Sequence, residues 1–447
     1  MEAVRRAAYT DAVADTILPP RELSGEASRS GCWPGGLTIP ASLLEHAVFW
    51  GIAGQFVFYF AGLAPVAPLL TAGPAMALAT VRMMRERVVP HWLTALWFVC
   101  TAGVLVQMLA VFWLKGVGGW YVPGWFLTFA PAAFLPMAGA FVRKSVVFSA
   151  VAVLGIQALI YAAIAGPVVA AGIDPAYPSP IPVSRMIDPA FHSVRLTQPP
   201  EIAGDERRLV AFTPFPTSAG AAACVFALLT LCHRRSWSQV LGLAGWLALL
   251  ALTHVRTGLV CITVGAALYY ALLLPRRHLF FGAGVALLLA AAFTGPLLRG
   301  AELANRSLRS QRPSSSQDRA NLHSLAWEGW LYGDAPVLGA GASVRGGPIV
   351  RDVGIGTHDW AGANLFIRGA LGFGLTLLPL VVTLVFGFFA GLSPGERGVT
   401  AVAAVLLIYT YSQELQTLYI YIWPLFLLIG AIARRTPPAV AAPLFTA

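Results

Sequence analysis

The chain has 447 residues, of which 57% come from the set AVILMFWYC and 11% are charged. Soluble domains carry about 45–50% apolar and about 25% charged residues, so a mean hydropathy of +0.71 excludes a soluble enzyme, a disordered chain and a disulfide scaffold. In so apolar a chain the formal net charge of +10 speaks first of membrane orientation, and no nucleic-acid partner is expected.

Residues 1–40 are polar, rich in Pro and Ser, and hold Arg5, Arg6, Arg21 and Arg29 without the apolar core of a signal peptide. They are expected to form a cytoplasmic tail, with the first membrane helix also targeting the chain. Apolar stretches near the length that crosses a bilayer then predict about twelve helices. They run over 41–62, 63–81, 92–114, 123–142, 145–171, 209–232, 237–253, 255–274, 279–298, 362–391, 398–415 and 417–433. Prolines such as Pro65, Pro68, Pro74 and Pro214 do not break this reading, because neighbouring helices in a bundle resatisfy the freed backbone groups.

Basic residues test the count. With the N-terminus inside, the inside loops hold Arg82, Arg85 and Arg87, then Arg143 and Lys144, then Arg234 and Arg235, then Arg276 and Arg277, then Arg397, and finally Arg434 and Arg435. Every second loop is basic, as the positive-inside rule requires. The expectation is an all-α polytopic membrane protein with both termini cytoplasmic. Helices one to nine would span 41–298, helices ten to twelve 362–433, and a cytoplasmic tail 434–447. The cysteines Cys32, Cys100, Cys224, Cys232 and Cys261 are scattered without C-x-x-C or Cys/His spacing, so neither a zinc site nor a disulfide framework is indicated.

Two loops on the expected outer side are long, 172–208 and 299–361. The second carries Arg299, Arg306, Arg309, Arg312, Arg319, Arg345 and Arg351, which membrane insertion does not call for. Arginine suits phosphate and diphosphate, through its permanent charge and planar fork of donors. Arg185, Arg195, Arg207 and Arg208 lie in the first loop, and Arg256 sits in LTHVRTGLV at the turn between helices seven and eight. An ionisable residue between apolar helices is a candidate functional group, and snorkelling to lipid headgroups is the plainer alternative. In SSSQDRANLHSLAWEGWLYG an amphipathic helix is predicted, with Leu322, Leu325, Ala326 and Trp330 as its apolar stripe. Arg319 and His323, four apart, share a face. The following APVLGAGASVRGG reads as irregular and lacks the strand context of a nucleotide fingerprint. The loop ends at GTHDWAGANLFIRGALGFG, where His358 is a candidate base and Asp359 either a rival base or its orienting neighbour. Taken alone, one such histidine is more often a hydrogen-bonded loop residue. No D-x-D or carboxylate cluster faces the outer side, so no metal or other cofactor is expected.

These residues carry a likeness. The chain resembles the O-antigen ligase family, with the related O-antigen polymerases and other bacterial polysaccharide polymerases. The likeness rests on the largest outer loop lying between helices nine and ten. It rests also on that loop's order of Arg319, Trp327, Pro336 and Gly339-Ala-Gly341, and on His358 leading into a helix with the start GALGFG at 369–374. HVRTG resembles the family's basic residue at a mid-chain helix start, which would be Arg256, and Arg195 resembles the arginine of the preceding outer loop. The match covers about residues 190–390, and the frequent His-Asn is His-Asp here. The resemblance implies a C-type-like bundle in the bacterial cytoplasmic membrane and a metal-independent, inverting glycosyltransferase working at the outer face. The donor would be a glycan on undecaprenyl diphosphate, the acceptor a sugar hydroxyl on a lipid or growing polymer. Membrane lipids and other envelope-assembly proteins are the further partners it implies. Arg256, Arg319 and Arg195 would bind the diphosphate, and His358 would deprotonate the acceptor. Asp359, His323, Arg207 and Glu414, the last near the outer turn of helices eleven and twelve, are auxiliary candidates. A transporter of lipid-linked glycan and a non-catalytic scaffold are the rival readings.

Overall fold

The structure is a computed structural model that describes residues 32–33, 36–64, 66–86, 89–116, 121–173, 175–179, 193–197, 208–213, 215–232, 236–275, 324–333, 336–341, 361–390, 393–412 and 415–433, with residues 278, 282, 288 and 299 singly. The fold is mostly helical with very few strands. Three helices are long and apolar enough to cross a membrane: Trp92–Lys115, Lys144–Ala170 and Leu365–Phe389.

A short antiparallel ladder, β1 (Cys32–Trp33) with β2 (Leu37–Thr38), ends the stretch expected to be a plain polar tail. The Thr38 N–H donates to Ser149 Oγ at 2.9 Å, which seats that stretch on the bundle. The helices follow as α1 (Leu43–Ala53), α2 (Gln55–Phe60), α3 (Ala67–Glu86), α4 (Trp92–Lys115), α5 (Tyr121–Gly139) and α6 (Lys144–Ala170). A second ladder, β3 (Ala176–Pro178) with β4 (Ser193–Arg195), precedes α7 (Pro216–Leu231), α8 (Trp237–Leu252) and α9 (Arg256–Leu273). The chain closes with α10 (Ala361–Phe389), α11 (Pro394–Ser412), α12 (Leu415–Ile422) and α13 (Pro424–Ala433).

Most predicted spans overlap these helices, with three interruptions, and the span 209–232 becomes helical only at Pro216, its first residues forming a bridge and a turn. The span 41–62 is divided at Gly54, whose N–H bonds back to Trp50 O at 2.8 Å and closes α1. The span 417–433 is divided at Trp423. The span 362–391 is broken at Gly369, where the backbone leaves the helix at φ 65, ψ 177. Hydropathy reads composition along the chain and is blind to such local backbone changes. Of the predicted helix 279–298 only residues 282 and 288 are described.

Contacts orient the helices. Trp97 Nε1 donates to Thr383 Oγ1 at 3.0 Å near one end of α4, and Gln107 Nε2 to Arg368 O at 3.1 Å nearer the other, so α4 and α10 run antiparallel. The missing side chain of Gly387 faces Thr400, placing the end of α10 beside the start of α11. Gly155 on α6 packs directly on the backbone of Gly242 and Gly245 on α8, the close approach that small residues permit between membrane helices. Trp97, Trp246, Trp423 and Phe226 are fully buried, whereas Trp113 is 87% exposed on the outside of the bundle. Large exposed aromatics are costly in water but natural against lipid.

Ion pairs gather at one end of the bundle. Arg143, ahead of α6, makes a two-point contact with Glu45 of α1, with Nε to Oε1 and Nη2 to Oε2 both at 2.7 Å. Lys144 Nζ reaches Glu396 Oε1 of α11 at 2.8 Å and Ser393 Oγ at 3.1 Å. Arg397 donates to Leu272 O at the end of α9. The starts of α1, α6 and α11 and the end of α9 therefore share this end. The start of α9, the end of α4 and the first part of α10 lie toward the opposite one. At the start of α4, His91 Nδ1 accepts from the Leu93 N–H at 3.2 Å. Burial holds its imidazole below its ordinary value, which suits a neutral ring acting as acceptor.

Candidate functional site

Two constructions lie toward the end away from the ion pairs. The first surrounds Arg195. The hydroxyl of Tyr59 on α2 donates to Arg195 O at 2.6 Å, and that of Tyr161 on α6 to Leu196 O at 3.2 Å. These bonds fasten β4 to the bundle, while Arg195 Nε donates to Ser193 Oγ at 2.7 Å. Thr197 then bridges Leu209, whose N–H points at Leu252 O, the last residue of α8, at 3.4 Å. The turn that follows carries His254 at φ 51 and releases the chain into α9 with Arg256 as its first residue. Ala211, in the segment docked against this turn, also has φ 51. A left-handed backbone is uncommon outside glycine, and the two non-glycine examples among the described residues fall in segments that touch. The fold thus links the strand of Arg195 to the helix start of Arg256, two residues far apart in sequence.

The second construction is the break in α10. The segment 336–341 lies along it and exchanges backbone bonds in both directions. Ala340 and Gly341 N–H donate to Phe366 O and Ile367 O at 2.8 and 3.0 Å, while Ala370 and Leu371 N–H donate to Pro336 O and Val337 O at 2.9 and 3.0 Å. Gly339, at φ 83, and Gly369, at φ 65, face each other so closely that a Cβ on either would overlap the other's backbone. Gln107 Nε2 of α4 clamps both strands of the clasp, donating to Leu338 O at 2.6 Å and Arg368 O at 3.1 Å. Lys115 Nζ adds a bond to Gly339 O at 2.9 Å, and Trp330 Nε1 one to Pro336 O at 2.8 Å. A broken helix at membrane depth is tolerated when its freed groups are satisfied by protein, and the clasp does this.

The break also positions Arg368, which closes the first half of α10 and is 5% exposed. Its guanidinium lies over the ring of Phe129 on α5, 5.4 Å from the centroid, a favourable face for a cation. Tyr419 of α12 packs on the same Phe129 at 5.8 Å between ring centroids. The sequence reading does not include Arg368, although NLFIRGALGFG places an ionisable residue within an apolar run, the same signal that singles out Arg256.

Of the predicted site residues, Arg195 is placed with its side chain and Arg256 as a helix start. His358, Asp359, Arg319, His323, Arg207 and Glu414 lie outside the described residues, as does Leu322 of the predicted apolar stripe. The part of that helix described is 324–331. Ala326 is buried, but Leu325 is exposed and Trp330 is engaged through its ring nitrogen, so the stripe does not pack as one face. Comparison with protein-family models finds no match, and comparison with curated proteins finds none.

Proposed function

We propose that the chain is a multi-pass membrane glycosyltransferase of O-antigen ligase type. It would span the bacterial cytoplasmic membrane about twelve times, with both termini cytoplasmic and the site facing out. The observation that carries this reading is the clasp. Pro336 with Gly339-Ala-Gly341 and the GALGFG start of α10, two of the strings on which the likeness rests, interlock at the bundle end to which Arg195 and the start of α9 also belong. Residues grouped by the resemblance thus lie toward one end of the bundle.

In this reading the donor is a glycan on undecaprenyl diphosphate. His358 takes the proton of an acceptor hydroxyl. That oxygen bonds to the anomeric carbon from the face opposite the diphosphate, the carbon–oxygen bond to the diphosphate breaks, and undecaprenyl diphosphate leaves with inversion. Arg256, Arg319 and Arg195 neutralise the charge that develops on the leaving group, the place where fixed positive charge is worth most. No metal is required by these steps.

The break in α10 weighs against the transporter alternative. Discontinuous transporter helices use their exposed half-helix ends to hold substrate. Here the backbone groups flanking Gly369 are taken by 336–341 and by Gln107. Deleting the gene and characterising the lipid-linked glycans tests the proposal. A ligase defect leaves full-length polymer on its carrier, and a defect in a polymerase of the same family leaves single repeat units. An unchanged glycan profile would overturn both.

A further inference from the structure

We infer that Gln107 is a positioning residue: reaching from α4 into the break of α10, it sets the angle between the two halves of that helix. What is positioned rests on the glycosyl-transfer reading, in which His358, three residues before α10 begins, is the base. The hold on the joint is independent of that reading.

Gly369 is the joint, at φ 65 and ψ 177. Without a Cβ, a glycine turns through conformations closed to other residues and gives a joint no stiffness of its own. The direction of 361–368 is therefore fixed by bonds from outside the helix. The segment 336–341 bridges the joint, with Ala340 and Gly341 bonded to Phe366 and Ile367 on one side, and Pro336 and Val337 to Ala370 and Leu371 on the other. Between those two pairs of bonds it has a glycine joint of its own, Gly339 at φ 83. A brace hinged in its middle does not fix an angle.

Gln107 crosses both hinges. Its Nε2 donates to Leu338 O at 2.6 Å and to Arg368 O at 3.1 Å, the carbonyls that lead into Gly339 and Gly369. Farther along the same helix, Lys115 Nζ holds Gly339 O at 2.9 Å. The Arg368 guanidinium over Phe129 is a further contact with the bundle, but a long side chain swivels about its own bonds, whereas Gln107 holds the backbone itself. Gln107 is 3% exposed within the apolar run VLVQMLAV. A buried amide costs free energy unless it is bonded, and Leu or Met would fill the same place, so what the amide brings is its bonds. It fits because residue 372 is glycine: a Cβ there would stand 2.9 Å from Gln107 Oε1 and 3.1 Å from its Cδ.

Three residues of chain reach at most about 11 Å, so the place of His358 follows the start of α10. Misplacing a reacting group by about 1 Å costs on the order of a hundredfold in rate. Donor affinity, carried in this reading by Arg256, Arg319 and Arg195, stays as it was. Gln107 touches no reacting atom and acts through the backbone that it holds.

The test joins hydrogen exchange on the full chain in detergent to transfer kinetics with an undecaprenyl-diphosphate-linked glycan as donor. Gln107→Met should speed amide exchange at 340–341 and 370–371 roughly tenfold. It should lower the maximal rate roughly tenfold to a hundredfold and leave the donor KM within about twofold. Gln107→Glu, neutral when buried, keeps one O–H donor and should fall between Gln107→Met and the wild type in both measurements. Gly372→Ala, which displaces the amide, should resemble Gln107→Met and decides the matter if that variant does not fold. Thr383→Val removes the Trp97 bond between the same two helices, α4 and α10, away from the joint, and should change neither the exchange at these amides nor the rate. Unchanged exchange or maximal rate in Gln107→Met and Gly372→Ala, an equal effect of Thr383→Val, or a raised KM at an unchanged maximal rate would overturn the positioning role. Faster exchange in Gln107→Met of a chain whose wild type transfers no glycan would sink the transfer reading and leave the hold on the joint standing.

Discussion

His358 and Arg256 carry the sharpest expectations at the scale of single residues. His358→Ala removes the proposed base, and Arg256→Ala a proposed partner of the leaving diphosphate. Each should abolish surface-polymer assembly at matched expression while membrane insertion persists. Removing one group that stabilises developing charge costs about 3 kcal/mol, more than a hundredfold in rate, so near-normal polymer in both variants would refute their roles. His323→Ala should have a milder effect, and surface-polymer gels read all three. Arg195 was recognisable in sequence as an arginine of a long outer loop that the resemblance matches, and Arg256 as an ionisable residue between apolar helices. Arg368 obeys the same rule and was overlooked, since its run reads as the smooth interior of a span. What makes it distinctive, the helix ending beside it, is a backbone event. Gln107 and Tyr419 carry no sequence signal at all, because an uncharged polar residue in a span is ordinary until its partners are known.

Among the elements, the clasp between 336–341 and α10 was half legible. APVLGAGASVRGG reads as irregular, and its described residues 336–341 lie outside any helix or strand. That it would interlock with a helix start many residues later was not legible, because nothing in either string encodes the other's position. The clasp depends on glycine at both ends. Gly369, at φ 65 and ψ 177, occupies a region open essentially to glycine alone, where another residue costs about 1–3 kcal/mol. An alanine Cβ there would also overlap Val337 O, and one at Gly339 would overlap Ile367 O. Gly369→Ala and Gly339→Ala should therefore each lower the melting temperature in detergent and increase proteolytic cutting of the large loop. Gly374→Ala, with open space around its Cβ, should be nearly silent in both. Similar behaviour of all three would mean that the clasp is not what holds the loop.

For the whole molecule, the basic residues read as marks of orientation have a second employment. Arg143 and Lys144 tie α6 to α1 and α11, and Arg397 reaches the end of α9, so one end of the bundle is laced by charge. Glu396, which precedes the predicted span at 398, is buried, and burial by itself raises its carboxyl. The hydrogen bonds from Lys144 and Ser393 outweigh that and hold it below its ordinary value of 4.5. The pair's stability is then fully present above that value and is lost as pH falls through the lower folded value. Thermal unfolding from pH 7 down to pH 3 should show a drop that Glu396→Gln reduces. At neutral pH, Lys144→Met, which strands a buried carboxylate, should cost about 3 kcal/mol, and adding Glu396→Gln should return part of it. A pH profile identical in wild type and Glu396→Gln would refute the linkage.

The sequence by itself determined that this is a helical chain with segments long and apolar enough to cross a membrane, because hydrophobic length and the spacing of charge are properties of consecutive residues. It also selected Arg256 as worth attention through residue chemistry, and Arg195 and the glycine strings through the family resemblance. Only the tertiary structure decided that Gly369 breaks its helix, that a distant loop satisfies the break, and that Arg368 ends up buried beside Tyr419 and Gln107. Those outcomes depend on which backbones can approach and which polar groups are left to pair, and both are set by packing between helices far apart in the chain.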